Sequence, residues 1–260
     1  MSKFFNYELI TSTSNIQADM YGARAKCLQR LIRLGLPVPQ SVALSVPLIN
    51  SIGLGKSIDL KKIVKCFPSS PVISVRSSPV SAEWGGPSTI LNIGMNSEIE
   101  KVYSGVLGSK AARELHIKFI KSFAIEVMRL DDEIFDYINI TPEVAIDAYE
   151  QEIAECFPRT IEAQLSEVLK SMSRAWQGTS ARLLRASKGV TDNAGLGLVV
   201  QRMVFGLGKG ESGAGVIQFV ESDTGIKREV GRYLSQSQGR DALVDKKAAI
   251  FLTKDERGPS

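Results

Sequence analysis

Histidine occurs once in the 260 residues, as His116, and cysteine only three times. Cys27, Cys66 and Cys156 are far apart, odd in number and include no C-x-x-C pair, so neither a disulfide framework nor a zinc ribbon is encoded. They read as reduced, partly buried thiols. Long apolar runs are also missing. No stretch approaches the ~18 residues needed to cross a bilayer, and the opening MSKFFNYELITSTSN lacks the basic region and apolar core of a secretory signal. A soluble, cytoplasmic protein with no membrane partner is expected. Charge of one sign is scarce too: 32 basic residues against 28 acidic leave a net +4. That is too slight for nucleic-acid binding, and the aromatics do not interleave with the basic residues. A small polyanion fits this balance better.

The apolar pattern predicts an α+β fold. A helix is predicted over residues 22–34, with Leu28, Leu31 and Ile32 on one face, Arg30 and Arg33 in the last turn and Gly35 as its stop. Pro37 and Pro39 prevent its continuation. Residues 41–44 read as a strand, 60–67 as a short helix and 72–75 as a buried strand. Residues 97–188 are mostly helical, with Ile117, Ile120, Ala124 and Val127 at helical spacing, then Ile161, Leu165, Val168 and Leu169; Pro142 and Pro158 divide them. Strands return at 198–205, 215–220 and 229–234. The pattern break around 186–195 divides the chain into an N-terminal lobe, residues 1–190, with the helical middle section, and a strand-rich second lobe, residues 191–260. Mixed sheets are expected, and no internal repeat is visible.

The most informative stretch is residues 72–92, VISVRSSPVSAEWGGPSTILN. A buried strand ends in Arg76, whose planar guanidinium can address two phosphate oxygens at once. Ser77, Ser78, Ser81, Ser88 and Thr89 supply hydroxyls, and Gly85 and Gly86 let backbone N–H groups approach an anion closely. The same composition also serves an ordinary surface turn, and the residues alone leave both readings open. On the strand ending VVQRMVF, Gln201 and Met203 face the same way. An amide beside a thioether suits an adenine edge and face, and equally a half-buried strand with Gln201 on a wet side. The glycines at 206, 208, 210, 213 and 215 lack the Gly-Lys-Ser/Thr of a P-loop and read as a flexible hairpin turn.

Three of these stretches resemble, in order, the N-terminal nucleotide-binding domain of the pyruvate, phosphate dikinase and phosphoenolpyruvate synthase family. They are the helix and turn GARAKCLQRLIRLGLPVP, the strand and loop VRS…TILN, and the segments VQRMVFG, SGAGV, DTG and QGRD. The resemblance covers about residues 20–241. It implies an ATP-grasp-like, two-lobed domain that holds ATP between its lobes. It also implies ATP-contacting roles for Arg24, at the position of the family's G-G-K-G lysine, for Arg76, Gly85 and Thr89 around the phosphates, and for Gln201 at the adenine.

Departures from the family pattern bear on activity. Arginine replaces lysine at position 24, so the charge is kept but the shape is not. Where the family carries G-E-[FY]-L and A-Q-G-E-D, this chain has Arg232 in GRYL and Arg240 in SQGRD, which favours anions and opposes a metal nearby. Up to Ser260 there is no L-Q-x-R segment for the ATP-bound Mg²⁺ and no Thr-Ser-His of a phosphoryl-carrying domain. His116 sits in AARELHIKFIK and reads as an ordinary helix residue. The expectation is an ATP-binding domain of a phosphotransferase family, with Mg²⁺ arriving only with the nucleotide. By itself it is not expected to turn over, and a partner protein would supply the phosphohistidine and pyruvate or phosphoenolpyruvate domains. The alternative is a degenerate relative serving as a nucleotide-sensing or protein-interaction module.

Overall fold

Capping side chains and glycines fix where the elements begin and end in the computed structural model, which describes residues 6–69, 71–136, 140–191, 194–221, 224–238 and 250–251. The chain forms two units, Met1–Glu100 with Arg113–Met203, and Lys101–Ala112 with Val204–Ser260. The fold is α+β.

The first unit is built on a five-stranded sheet of β1 (Tyr7–Leu9), β2 (Ser41–Leu44), β3 (Ile73–Pro79), β4 (Ile90–Ile93) and β5 (Leu196–Arg202). Its spatial order is β1-β2-β5-β3-β4, and every pairing is antiparallel. The expected mixed sheet is therefore corrected. β2 and β3 run in the same direction, and they would have made a parallel pair had β5 not inserted between them. Side chains alternate across the strands. Ala43 and Val199 are buried beneath α1 (Ala18–Arg33), together with Ile10, Ile16, Tyr21 and Ala25. Val42, Leu44, Ile73, Val75, Leu198 and Val200 are buried on the opposite face, where α2 (Val46–Gly53) and α7 (Ile161–Gln177) pack.

The first helix carries a deliberate break. Gly22 has φ 85 and ψ 164, a backbone conformation open in practice only to glycine. This interrupts the winding where the N–H of Ala25 would meet the carbonyl of Tyr21. The hydroxyl of Ser78 from β3 fills that gap: it donates to the Tyr21 carbonyl at 2.8 Å and accepts from the Ala25 N–H at 3.2 Å. An inserted side chain thus replaces a missing rung of the helix. Gly35, with φ 74, ends the helix, as its position after the last apolar turn predicts.

The remaining helices follow local chemistry. Ser45 caps α2 by accepting from the Leu48 N–H at 3.3 Å, with Pro47 in the first turn. Periodicity does not signal this helix, because its eight residues are too few to show a period. A short helix, α3 (Leu60–Val64), follows Asp59. In the helical middle section, α4 (Ser97–Leu107) and α5 (Ser109–Ser122) lead into five residues of π-helical winding, Phe123–Val127. Thr141 caps α6 (Pro142–Ile153) and Thr160 caps α7, each accepting from an N–H three residues on. α8 (Thr179–Ser187) completes the section. Phe119, Phe123, Tyr149 and Phe157 pack with ring centroids 5.1–6.1 Å apart. Burial of the Tyr149 phenol among these rings, with Glu155, Glu167 and Glu150 nearby, raises its pKa to about 12.

The second unit contains a three-stranded antiparallel sheet of β6 (Gly213–Val220), β7 (Lys227–Ser235) and β8 (Ile250–Phe251). Gly206 bridges to Ser237, and a Cβ on it would overlap the carbonyls of Gly213 and Ser237. The glycine run is needed at that point for close backbone approach rather than for flexibility. Among the described residues no helix is long and apolar enough to cross a membrane. All three cysteines are free; Cys27 and Cys156 are exposed, not partly buried as their sequence context suggests.

Gly22→Ala would force a Cβ into the Ser78 carbonyl and strain the backbone, so a loss of about 3 kcal/mol is expected. Gly35→Ala also has positive φ but meets nothing within 4 Å, and should lose only about 1 kcal/mol. Urea denaturation checks the contrast. Equal stability of the two variants would show that the α1 break is not held as described.

Candidate functional site

The register of β2, β5 and β3 decides which polar side chains meet. Ser41 lies opposite Gln201, Gln201 opposite Ser74, and Arg76 opposite Val199. Opposed residues share a face, so Ser41, Ser74, Arg76, Ser78 and Gln201 all project toward the side that α1 covers. The break at Gly22 brings the next residues of α1 down on the exit of β3. There Nε of Arg24 donates to the carbonyl of Ser77 at 2.7 Å. Arg24 and Arg76, 52 positions apart in sequence, thereby become neighbours.

Their electrostatics are unusual for two arginines. Both are half-buried. Burial lowers the pKa of Arg76, and the Arg24 charge lowers it further. Burial likewise lowers that of Arg24, with Cys27 acting the other way. Both remain cations at neutral pH. Among the described residues no carboxylate pairs with either one. Two partly desolvated charges of the same sign without a counter-ion raise the local potential, and a bound anion would relieve it.

The loop after β3 turns back against the strand at Ser77. Ala82–Trp84 make one short 3-10 turn, and the carbonyl of Glu83 accepts from Lys188 Nζ at 2.9 Å. Gly85 has φ 73 and is exposed, with nothing within 4 Å of where a Cβ would stand. Gly86 passes so close to Ser77 that a Cβ would lie 2.6 Å from its Oγ. The structure thus brings together Arg24, Arg76 and Gln201, while the Gly85–Gly86 turn lies against the side chain of Ser77, which alternates to the other side of β3 from Arg76. Thr89 is half-buried just before β4, and no hydrogen bond links it to either arginine among the described residues.

Gln201 is 8% exposed, and both ends of its amide are engaged. Nε2 donates to Ser41 Oγ at 2.9 Å, and Oε1 accepts from Arg76 Nη1 at 3.5 Å. Ser41 is a residue that sequence reasoning passed over as part of a plain strand. Nothing local signals its role, because its partner lies 160 residues away. His116 is elsewhere. It is 1% exposed, with Nδ1 2.7 Å from Glu100 Oε2, and lines a cleft of about 540 Å³ with Asn96, Phe157, Arg159 and Thr160. Arg232 lies on β7 in the second unit, opposite Val216, and Arg240 falls outside the described residues.

On the expectation of an ATP site at this pair, Arg76→Ala should weaken binding by ~1.5 to 3 kcal/mol, the scale of hydrogen bonds to a charged group, and Arg76→Lys should recover only part of it. Arg232→Ala should change it far less. Calorimetric titration of the three variants tests this ranking, and an essential Arg232 beside a dispensable Arg76 would move the anion site to the second unit.

No protein-family model matches the chain. The pyruvate, phosphate dikinase of Rickettsia bellii (strain RML369-C) is 23% identical over 279 aligned positions, which cover 92% of this chain and 32% of the relative. That of Rickettsia typhi (strain ATCC VR-144 / Wilmington) is 25% identical over 266 positions, covering 86% of this chain and 30% of the relative. The chloroplastic enzyme of Flaveria trinervia is 26% identical over 199 positions, covering 68% and 21%. The chain spans about a third or less of the length of these relatives. Along most of its own length the chain is similar to pyruvate, phosphate dikinases.

Proposed function

We propose that the first unit binds ATP as an ATP-grasp-like domain of the pyruvate, phosphate dikinase type, with the phosphates seated on Arg24 and Arg76 beside the Gly85 turn. The observation that carries this reading is the pair of half-buried guanidiniums without a carboxylate partner among the described residues. A polyphosphate supplies the missing charge, and the fork of Arg76 suits two of its oxygens. The exposed Gly85 peptide can add a backbone donor without a side chain intervening. Thr89 remains a candidate contact at the far end of the same loop.

The residues present fit the phosphates better than they fit a metal. No three His, Cys, Asp or Glu side chains converge among the described residues, so Mg²⁺ would travel on the phosphate oxygens of the nucleotide. Phosphoryl transfer relies on positioning and charge neutralisation. This chain's part is to grip the phosphates, and a partner protein carrying a phosphohistidine and a pyruvate or phosphoenolpyruvate site would complete a reaction of the dikinase kind. A second reading, a nucleotide sensor without turnover, draws on Arg24. Its Nε is committed to the Ser77 carbonyl, which suits holding a phosphate in place more than following one in transfer.

Thermal denaturation with ATP tests binding. Ligand at ~100 times Kd stabilises by about 2.7 kcal/mol, which should raise Tm by roughly 5 to 10 °C for a domain of this size. Absence of any shift at millimolar ATP, confirmed by calorimetry, would remove the proposal. With ATP and Mg²⁺ alone, no sustained release of AMP and phosphate is expected; steady release abolished by Arg76→Ala would show a self-sufficient enzyme instead.

A further inference from the structure

Gln201 could turn either end of its amide toward Ser41, and its neighbours determine which. Ser41 Oγ lies 2.7 Å from the carbonyl oxygen of Pro39. A carbonyl only accepts, so the single hydroxyl proton of Ser41 is engaged there. The Gln201 atom 2.9 Å from Ser41 Oγ must then be the donor Nε2. Oε1 is consequently turned to Arg76, whose Nη1 donates to it at 3.5 Å. The chain runs in one direction, from Arg76 through Gln201 and Ser41 to Pro39. The backbone of Gln201 is held as well, since its carbonyl accepts from Ser74 Oγ at 3.4 Å.

This arrangement has two consequences. Arg76 is anchored at one nitrogen by a neutral acceptor, so its charge is oriented without being cancelled. This is its one side-chain hydrogen bond among the described residues, so the rest of its five-donor fork stays open. The amide of Gln201, for its part, already has a partner at each end and is 8% exposed, so little of its edge is left for a base.

We infer that Gln201, with Ser41 behind it, is a positioning residue that aims the Arg76 guanidinium at a phosphate rather than a residue that reads adenine. The inference rests on the proposed phosphate site. It makes affinity at this point a property of the polyphosphate and independent of the base.

The test compares ATP with tripolyphosphate, which has no base. Gln201→Met keeps the side-chain length and removes both hydrogen-bonding atoms; Ser41→Ala removes the anchor behind it and serves if the first variant folds poorly. Each should weaken both ligands by the same factor, about 3- to 10-fold, leaving their affinity ratio unchanged. Loss of ATP affinity with tripolyphosphate untouched would overturn the inference and make Gln201 a base reader. A second measurement needs no ligand. The Nε–H order parameter of Arg76 by NMR should fall in both variants while that of Arg232 does not, and an unchanged Arg76 would overturn the positioning role. Failure of the wild type to bind either ligand would remove the phosphate reading itself, and the order parameters would still decide whether Gln201 orders Arg76.

Discussion

The hydroxyl of Ser78 inside the broken first turn of α1 is the contact on which the rest of the first unit depends. A regular helix closes its own ladder and can sit on a sheet only at the distance its side chains allow. Here glycine removes the side chain at the contact, and Ser78 takes over the exposed Tyr21 carbonyl and Ala25 N–H. Gly197 on β5 shares the arrangement, since a Cβ there would lie 2.5 Å from the Tyr21 carbonyl. With both glycines present the helix backbone rests almost directly on the strands. Arg24, two residues beyond the break, then reaches the Ser77 carbonyl and the flank of Arg76.

The same geometry explains how two arginines with no acidic partner among the described residues are tolerated. Bringing like charges together under partial burial is unfavourable, and the fold offsets this only in part. A carbonyl takes one guanidinium, an amide oxygen the other, and neither acceptor carries a net charge. The site therefore keeps a surplus of positive potential that packing alone would have selected against. Folds carry such local inconsistencies where function calls for them. The phosphate site proposed above would make use of that surplus.

Much of the local structure was legible from the chain. Gly35 after an apolar periodicity ends α1, and the alternation in Ser41–Leu44 and the apolar run 72–75 become β2 and β3. The helical middle section follows its period, although the buried face of α5 is set by Leu115, His116, Phe119 and Ile120, with Ile117 only half-buried. The sheet was not legible in the same way. β5 is a continuous buried run, LGLVV, which says that it is central but not which strands flank it. Its insertion between β2 and β3 turned the expected mixed sheet antiparallel.

The candidate site divides along the same line. Sequence by itself determined that Arg76 follows a buried apolar run and precedes a glycine-bearing turn, because such runs and glycine punctuation are local properties written in neighbouring residues; the pairing with β5 carries the strand on to Pro79, so Arg76 lies within it and not at its exit. Sequence also carries the resemblance to the dikinase family, in motifs that stand in family order and in an identity of about a quarter to the dikinases. Only the tertiary structure decided that Arg24 neighbours Arg76, and that Gln201 is committed to Ser41 and Arg76. These contacts join residues 52, 160 and 125 positions apart, and they depend on strand register and on one helix break. A slip of one residue in β5 would turn Gln201 to the opposite face of the sheet. Register is set by the packing of whole layers, and no short stretch of sequence contains it.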